Sequence, residues 1–191
     1  MKDKLFYKII RPIVILLYKI FYPSQVLGLS NIPKEGPILL AGNHTKWLDP
    51  VLLVCIVKRQ IHFLAKEELF HGFTKLIVKG MGCIPVNRKI HDKEALQGEI
   101  DSLNKGLCVG IFPEGTINRT EDVIIPFKIG AVKACSVTRS KLVPFVITGK
   151  YKLFRKGIKI EFLEPITISD DLEKENERLM KIISDKLQGG K

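Results

Sequence analysis

Asn43-His44-Thr45-Lys46-Trp47-Leu48-Asp49 sets an imidazole and a carboxylate five positions apart, between the apolar runs Pro37–Ala41 and Pro50–Leu53. On one regular helix that step separates two side chains by about 140°, so they meet only where the chain turns, as between a strand and a helix. A carboxylate that reaches an imidazole this way fixes its tautomer and supports the charge it gains on accepting a proton. That is the chemistry of a general base. The same residues allow a plainer reading, in which Asp49 caps a helix opened by Pro50 and His44 bonds a loop carbonyl.

Two further stretches carry reactive types. Phe112-Pro113-Glu114-Gly115-Thr116 follows the apolar run Leu107–Ile111. Glu114 can accept hydrogen bonds from hydroxyls, while Gly115 and Thr116 can offer backbone and side-chain donors to an oxyanion. An ordinary turn is the alternative there. Gly82-Cys83-Ile84-Pro85-Val86-Asn87-Arg88 ends in an arginine suited to phosphate, or simply in a surface cation. Cys55, Cys83, Cys108 and Cys135 are widely spaced in apolar neighbourhoods and form no Cys-x-x-Cys pair, which argues for buried free thiols and against a zinc site.

In order along the chain, N-H-x-x-x-x-D, G-x-I-x-V-x-R, F-P-E-G-T and Val143-Pro144-Phe145 resemble the four motif blocks of the glycerolipid acyltransferases, in particular the 1-acylglycerol-3-phosphate (lysophosphatidate) acyltransferase branch. The resemblance runs from about residue 36 to residue 148. It implies an α/β domain seated on a membrane, with His44 as catalytic base and Asp49 as its partner. By the same resemblance Arg88 binds the acceptor's phosphate, Glu114, Gly115 and Thr116 position the acceptor, and Pro144 belongs to the block lining the acyl end. Two departures stand out. Lys46 occupies a position where the family often has serine, and Ile117 one where it usually has arginine; Arg119 and Lys128 are the nearby cations able to supply that charge.

The implied reaction is direct transfer of a fatty acyl group from acyl-coenzyme A or acyl carrier protein to a lysophosphatidate hydroxyl, forming phosphatidic acid. No Gly-x-Ser-x-Gly elbow is present to form an acyl-enzyme. Neither a metal nor a cofactor beyond the acyl donor is expected. Another lysolipid or an amine is the alternative acceptor, and a non-enzymatic basic lipid- or RNA-binding protein the reading from another class. The latter lacks the aromatic signatures of RNA-binding modules, so no nucleic-acid partner is expected.

These residues need a scaffold. Short apolar runs near 37–41, 60–64, 83–87, 107–112, 142–148 and 158–163 read as strands. Helical patterns lie between them at about 50–58, 66–79, 92–104 and 129–138, with a last helix at about 170–187. In 92–104, Leu96, Ile100 and Leu103 recur at helical spacing and Gly106 follows as a stop. The alternation predicts one α/β domain around a largely parallel sheet, whose ligands gather at the carboxyl ends of strands. His44, Arg88 and Glu114 all fall just after predicted strands. Residues 149–161, basic with interleaved aromatics, read as a hairpin or turn.

At the amino end, residues 4–22 read as an amphipathic helix with Lys4, Lys8, Arg11 and Lys19 within an arc of about 80° and a broad apolar face. Lys8 and Arg11 keep its uncharged run short of the roughly 18–20 residues a spanning helix needs. No small-residue cleavage site follows, which argues against a secretory signal. An interfacial helix fits this pattern; packing on the domain's own core is the alternative. Pro12 marks either a kink or the true start. Residues 1–25 are therefore assigned to an interfacial helix and 26–191 to the α/β domain. The formal charge of +11, from 31 basic and 20 acidic residues, suits an anionic lipid surface, an acidic carrier protein or a phosphorylated substrate. A mean hydropathy of +0.11 is too low for a polytopic membrane protein. The expected location is the cytoplasmic face of the cell membrane, as a peripheral or monotopic protein.

Overall fold

A computed structural model describes residues 2–72, 74–86 and 92–189. Helix α1 (Lys2–Phe21) leads into strand β1 (Ser24–Leu27) and then β2 (Ile38–Gly42). Alternating elements follow: α2 (Asp49–Ile56), β3 (Ile61–Lys66), α3 (Thr74–Gly80), β4 (Ile84–Val86), α4 (Asp92–Asn104), β5 (Cys108–Ile111) and α5 (Gly130–Thr138). The chain closes with β6 (Lys141–Gly149), β7 (Ile158–Phe162) and α6 (Leu172–Gly189). The strands form one seven-stranded sheet in the order β1-β7-β6-β2-β5-β3-β4. Every pairing is parallel except β6 with β7, the basic hairpin expected from the sequence.

Strand β2 shows why the sheet sits in the middle. All five of its residues are buried. Ile38 and Leu40 join one core with Tyr7, Tyr18, Leu52, Leu53, Phe63 and Phe145. Leu39 and Ala41 face the opposite core with Leu103, Ala131, Cys135, Leu179 and Ile183. An uninterrupted apolar run is what a parallel strand covered on both faces requires. Pro144 lies inside central β6, where a missing N–H would ordinarily break a ladder. Its carbonyl accepts from Leu163 N at 2.8 Å, so the absent donor also points to the β7 side, opposite the residue just past the end of that strand at Phe162.

Three expectations need correction. β1 lies ahead of the first strand expected from the sequence, as a four-residue edge strand parallel to β7. The single helix expected over 66–79 is instead the end of β3, a 3-10 turn at Glu67–Phe70 and α3, and Gly72 at φ +62° interrupts the run. Helix α1 runs through Pro12 from Lys2, so the proline is not its start. No helix among the described residues is long and apolar enough to cross a membrane.

Helix α1 packs inward through Tyr7 and Tyr18, both buried, and Arg11 donates from Nε to Val54 O at 3.1 Å and from Nη2 to Val57 O at 2.7 Å. One face of the helix therefore meets the domain core, as the second of the two readings had it. The residues opposite do not: Ile9, Ile13, Leu16, Leu17, Ile20 and Phe21 are exposed and occupy an arc of about 140°.

On α4, Glu99 is buried, its Oε2 meets no hydrogen-bond partner among the described residues, and burial pushes its carboxyl up to about 8. Between the ordinary carboxyl range and that value the folded protein holds a proton that the unfolded chain does not. Stability contributed by the neutral form is therefore complete at acid pH and falls as pH rises toward 8, at about 1.4 kcal/mol per pH unit at the steepest. Denaturation of wild type and Glu99→Gln at intervals from pH 5 to 8 should show this slope flattened in the variant; parallel curves would contradict it.

Candidate active site

Where β2 ends, its neighbours hold the chain while it turns away. Gly42 lies under the Phe145 ring, where a Cβ would come within 2.4 Å of ring carbons. Asn43, buried, continues the ladder with its side chain: Nδ2 donates to Ile147 O at 2.9 Å and Oδ1 accepts from Ile147 N at 2.8 Å. The next residue is then free to leave the sheet. His44 N–H donates to Glu114 Oε1 at 2.7 Å, and His44 O accepts from Asn118 N at 2.9 Å.

The turn between His44 and Asp49 brings the two side chains together, with His44 Nδ1 2.9 Å from Asp49 Oδ2. Asp49 opens α2 but does not cap it forward. Its carboxylate reaches back, Oδ2 accepting from Thr45 N at 2.6 Å and Lys46 N at 2.8 Å, and Oδ1 from Thr45 Oγ1 at 3.1 Å. Tyr151 OH donates to the same Oδ1 at 2.7 Å. The carboxylate side chain is 0% exposed and the imidazole 16%. A donor to a carboxylate is N–H, so Nε2 carries the lone pair, and it meets no hydrogen-bond partner among the described residues. The ring lies flat on Phe112, 4.0 Å between centroids and 17° between planes, and Phe112 rests edge-on to Phe145. A buried carboxylate, an oriented imidazole and a free nitrogen lone pair form a general base.

The remaining expected residues divide. Glu114 is buried, and its oxygens accept backbone amides, Oε1 from His44 and Oε2 from Ile125 at 3.2 Å. Burial pushes its carboxyl above the usual range, against those two donors. Glu114 thus ties the His44 loop to the segment after β5. Gly115 stands at φ +69°, and its N–H donates to Phe112 O at 2.9 Å, so this amide is not an open oxyanion donor. Thr116 and Arg119 are exposed on the same loop. Lys128 is exposed and lies against Gly115, its Cε 3.2 Å from where a Cβ would stand. Arg88 lies outside the described residues.

Sequence reasoning passed over Asn43, Phe112 and Tyr151. Asn43 and Phe112 sit inside the motif blocks, but their roles depend on partners across the sheet. Tyr151 had only the basic-aromatic hairpin as a signal.

Residues 24–148 match the family model described as Acyltransferase. The chain is 34% identical over 152 residues to the 1-acyl-sn-glycerol-3-phosphate acyltransferase of Bacillus subtilis, covering 76% of this chain and 75% of that one. It is 28% identical over 195 residues to the enzyme of the same name from Streptococcus pneumoniae, covering 97% and 72%. The crystal structure of the 1-acyl-sn-glycerophosphate acyltransferase PlsC of Thermotoga maritima shares the fold at a TM-score of 0.77 and 20% identity, over 96% of this chain and 80% of that one.

Replacing Glu114 with alanine should lower the unfolding free energy by about 2–4 kcal/mol, the worth of two hydrogen bonds to a buried carboxyl. Urea denaturation measures it, and a loss under about 0.5 kcal/mol would mean that the loop holds without the carboxylate.

Proposed function

This chain belongs to the acyltransferase family, and from that membership we propose that it acylates the free hydroxyl of 1-acylglycerol-3-phosphate to form phosphatidic acid. The observation that carries the reading is the 2.9 Å bond from His44 Nδ1 to the buried Asp49, which leaves Nε2 as an unshared base. The names of the Bacillus and Streptococcus relatives support the choice of acceptor. His44 Nε2 takes the hydroxyl proton as that oxygen attacks the carbonyl of an acyl thioester. Asp49 stabilises the imidazolium as the tetrahedral intermediate forms. Collapse breaks the carbon–sulfur bond, and His44 returns the proton to the departing sulfur. Base catalysis of this kind supplies about 10²–10⁴-fold, and holding both substrates in line lowers the barrier by about 7–11 kcal/mol more. Arg88, Arg119 and Lys128 are the cations proposed for the acceptor's phosphate. Thr116, exposed on the loop after β5, is proposed to position the acceptor. The donor is acyl-coenzyme A or acyl carrier protein, both acidic and suited to a chain of charge +11.

The reaction is placed at a bilayer surface, on the cytoplasmic side, with α1 lying in the interface. Its exposed apolar arc, with Leu16 61% exposed, supports this seat. The face continues into the β6–β7 loop, where Phe154, 64% exposed, packs its ring 5.3 Å from Phe21. Trp47, on the His44 loop and 71% exposed, is the type that settles at a lipid–water boundary.

A donor-by-acceptor assay with purified protein should show transfer to lysophosphatidate, and His44→Ala should lower kcat at least a hundredfold with the fold retained. Near-normal turnover in that variant would defeat the reading, and preference for another lysolipid or an amine would move the acceptor. Joint replacement of Ile13, Leu17 and Ile20 by aspartate should release the protein from anionic vesicles in sedimentation. Retention equal to wild type would place the anchor elsewhere.

A further inference from the structure

Among the described residues outside the motif blocks, one side chain, that of Tyr151, is hydrogen-bonded to the His44–Asp49 pair. Tyr151 follows β6 after Gly149 turns the chain at φ +86°. Its hydroxyl lies 2.7 Å from Asp49 Oδ1. Burial first, and then the adjacent Asp49 charge, drive its pKa far above the ordinary phenol range, so its single proton stays available to the carboxylate. The ring is held from α1's end, where Tyr22 meets it edge-on at 5.7 Å and 85°.

The two oxygens of Asp49 are supported unequally. Oδ2 takes the His44 ring and two backbone amides, whereas Oδ1 has only hydroxyls, Thr45 at 3.1 Å and Tyr151 at 2.7 Å. A carboxylate removed from water needs donors on both oxygens to stay ionised. The shorter of the two bonds to Oδ1 also fixes the carboxylate plane, and with it the direction from Oδ2 to His44 Nδ1.

We infer that Tyr151 is a positioning residue for the transfer reaction, acting through Asp49 to keep that carboxylate ionised and turned toward His44. The inference rests on the reading of His44 as the base. Tyr151 touches neither the imidazole nor a reacting atom, so its effect falls on the basicity and aim of His44 and leaves substrate affinity alone. Loss of the hydroxyl makes protonation of the Asp49–His44 pair easier, which moves the acid limb of the pH profile upward, and frees the carboxylate to turn away from His44, which lowers kcat.

The test is Tyr151→Phe, which keeps the ring and its contact with Tyr22, assayed alone and combined with Asp49→Asn. The single variant should lose about tenfold to a hundredfold in kcat, the size of one charge-assisted hydrogen bond. KM for donor and acceptor should stay within about twofold, and the acid limb of kcat/KM should move to higher pH. In the Asp49→Asn background, removal of the hydroxyl should cost nothing more, because the group it acts through is gone. An unchanged kcat and pH profile overturns the inference, as does an equal loss in both backgrounds, which would make Tyr151 a loop staple only. If Tyr151→Phe does not fold, Tyr151→Met, which also removes the hydroxyl, carries the test: the same upward shift upholds the inference and an unmoved limb overturns it. Wild-type protein inactive with every donor and acceptor would instead remove the acyl-transfer reading on which the inference rests.

Discussion

The Asp49 carboxylate is the constraint around which the site is arranged. An ion taken out of water costs several kcal/mol unless donors surround it, and this one is fully buried at the first turn of α2. Its donors come from His44, Thr45, Lys46 and Tyr151. Three of them are consecutive residues, so the loop between β2 and α2 wraps round the charge it must compensate. The turn that joins imidazole to carboxylate and the solvation of that carboxylate are one structure.

The sheet delivers this loop to a defined place. β2 is covered on both faces and cannot shift register without moving both cores. Asn43 carries the β2–β6 pairing one residue past the strand by bonding Ile147 with its side chain. Phe145, seated on Gly42, supports Phe112, and Phe112 supports the His44 ring. Glu114 closes the arrangement from the β5 side through two backbone amides. The imidazole is fixed by stacking from below, by hydrogen bonding at Nδ1 and through its own backbone.

Much of this was legible where the signal is local. Helix 92–104 is where its i, i+4, i+7 leucines and isoleucine put it, and the turn between His44 and Asp49 follows from their angular mismatch on a helix. Local patterns failed where the partner is distant. β1 has only four residues with alternate burial at a sheet edge, too short to rise above its Pro, Gly and Ser surroundings. Glu114 looked like a free carboxylate because nothing nearby in sequence names His44 N and Ile125 N as its donors. Tyr151 is 102 residues from Asp49, and no periodicity encodes that bond. Arg11 counted toward the basic stripe of an interfacial helix, yet its guanidinium is held by the carbonyls of Val54 and Val57.

That last pair of bonds changes what α1 is. Helix α2 has eight residues, too few to be stable by propensity alone. Its carboxyl end presents carbonyls at the negative pole of the helix dipole, and Arg11 of α1 brings them a positive charge. Its amino end holds Asp49, whose Oδ1 is bonded by Tyr151, and the Tyr151 ring is met edge-on by Tyr22 at the end of α1. One helix thus grips both ends of the element that carries the carboxylate. Its inward face is built of Tyr7, Arg11 and Tyr18, while an apolar arc on the other side is left without protein cover. The proposed membrane seat and the frame of the proposed base are therefore opposite sides of a single rigid element. A force on the outer face has a short, hydrogen-bonded route to Asp49, and α1 cannot be treated as a detachable anchor.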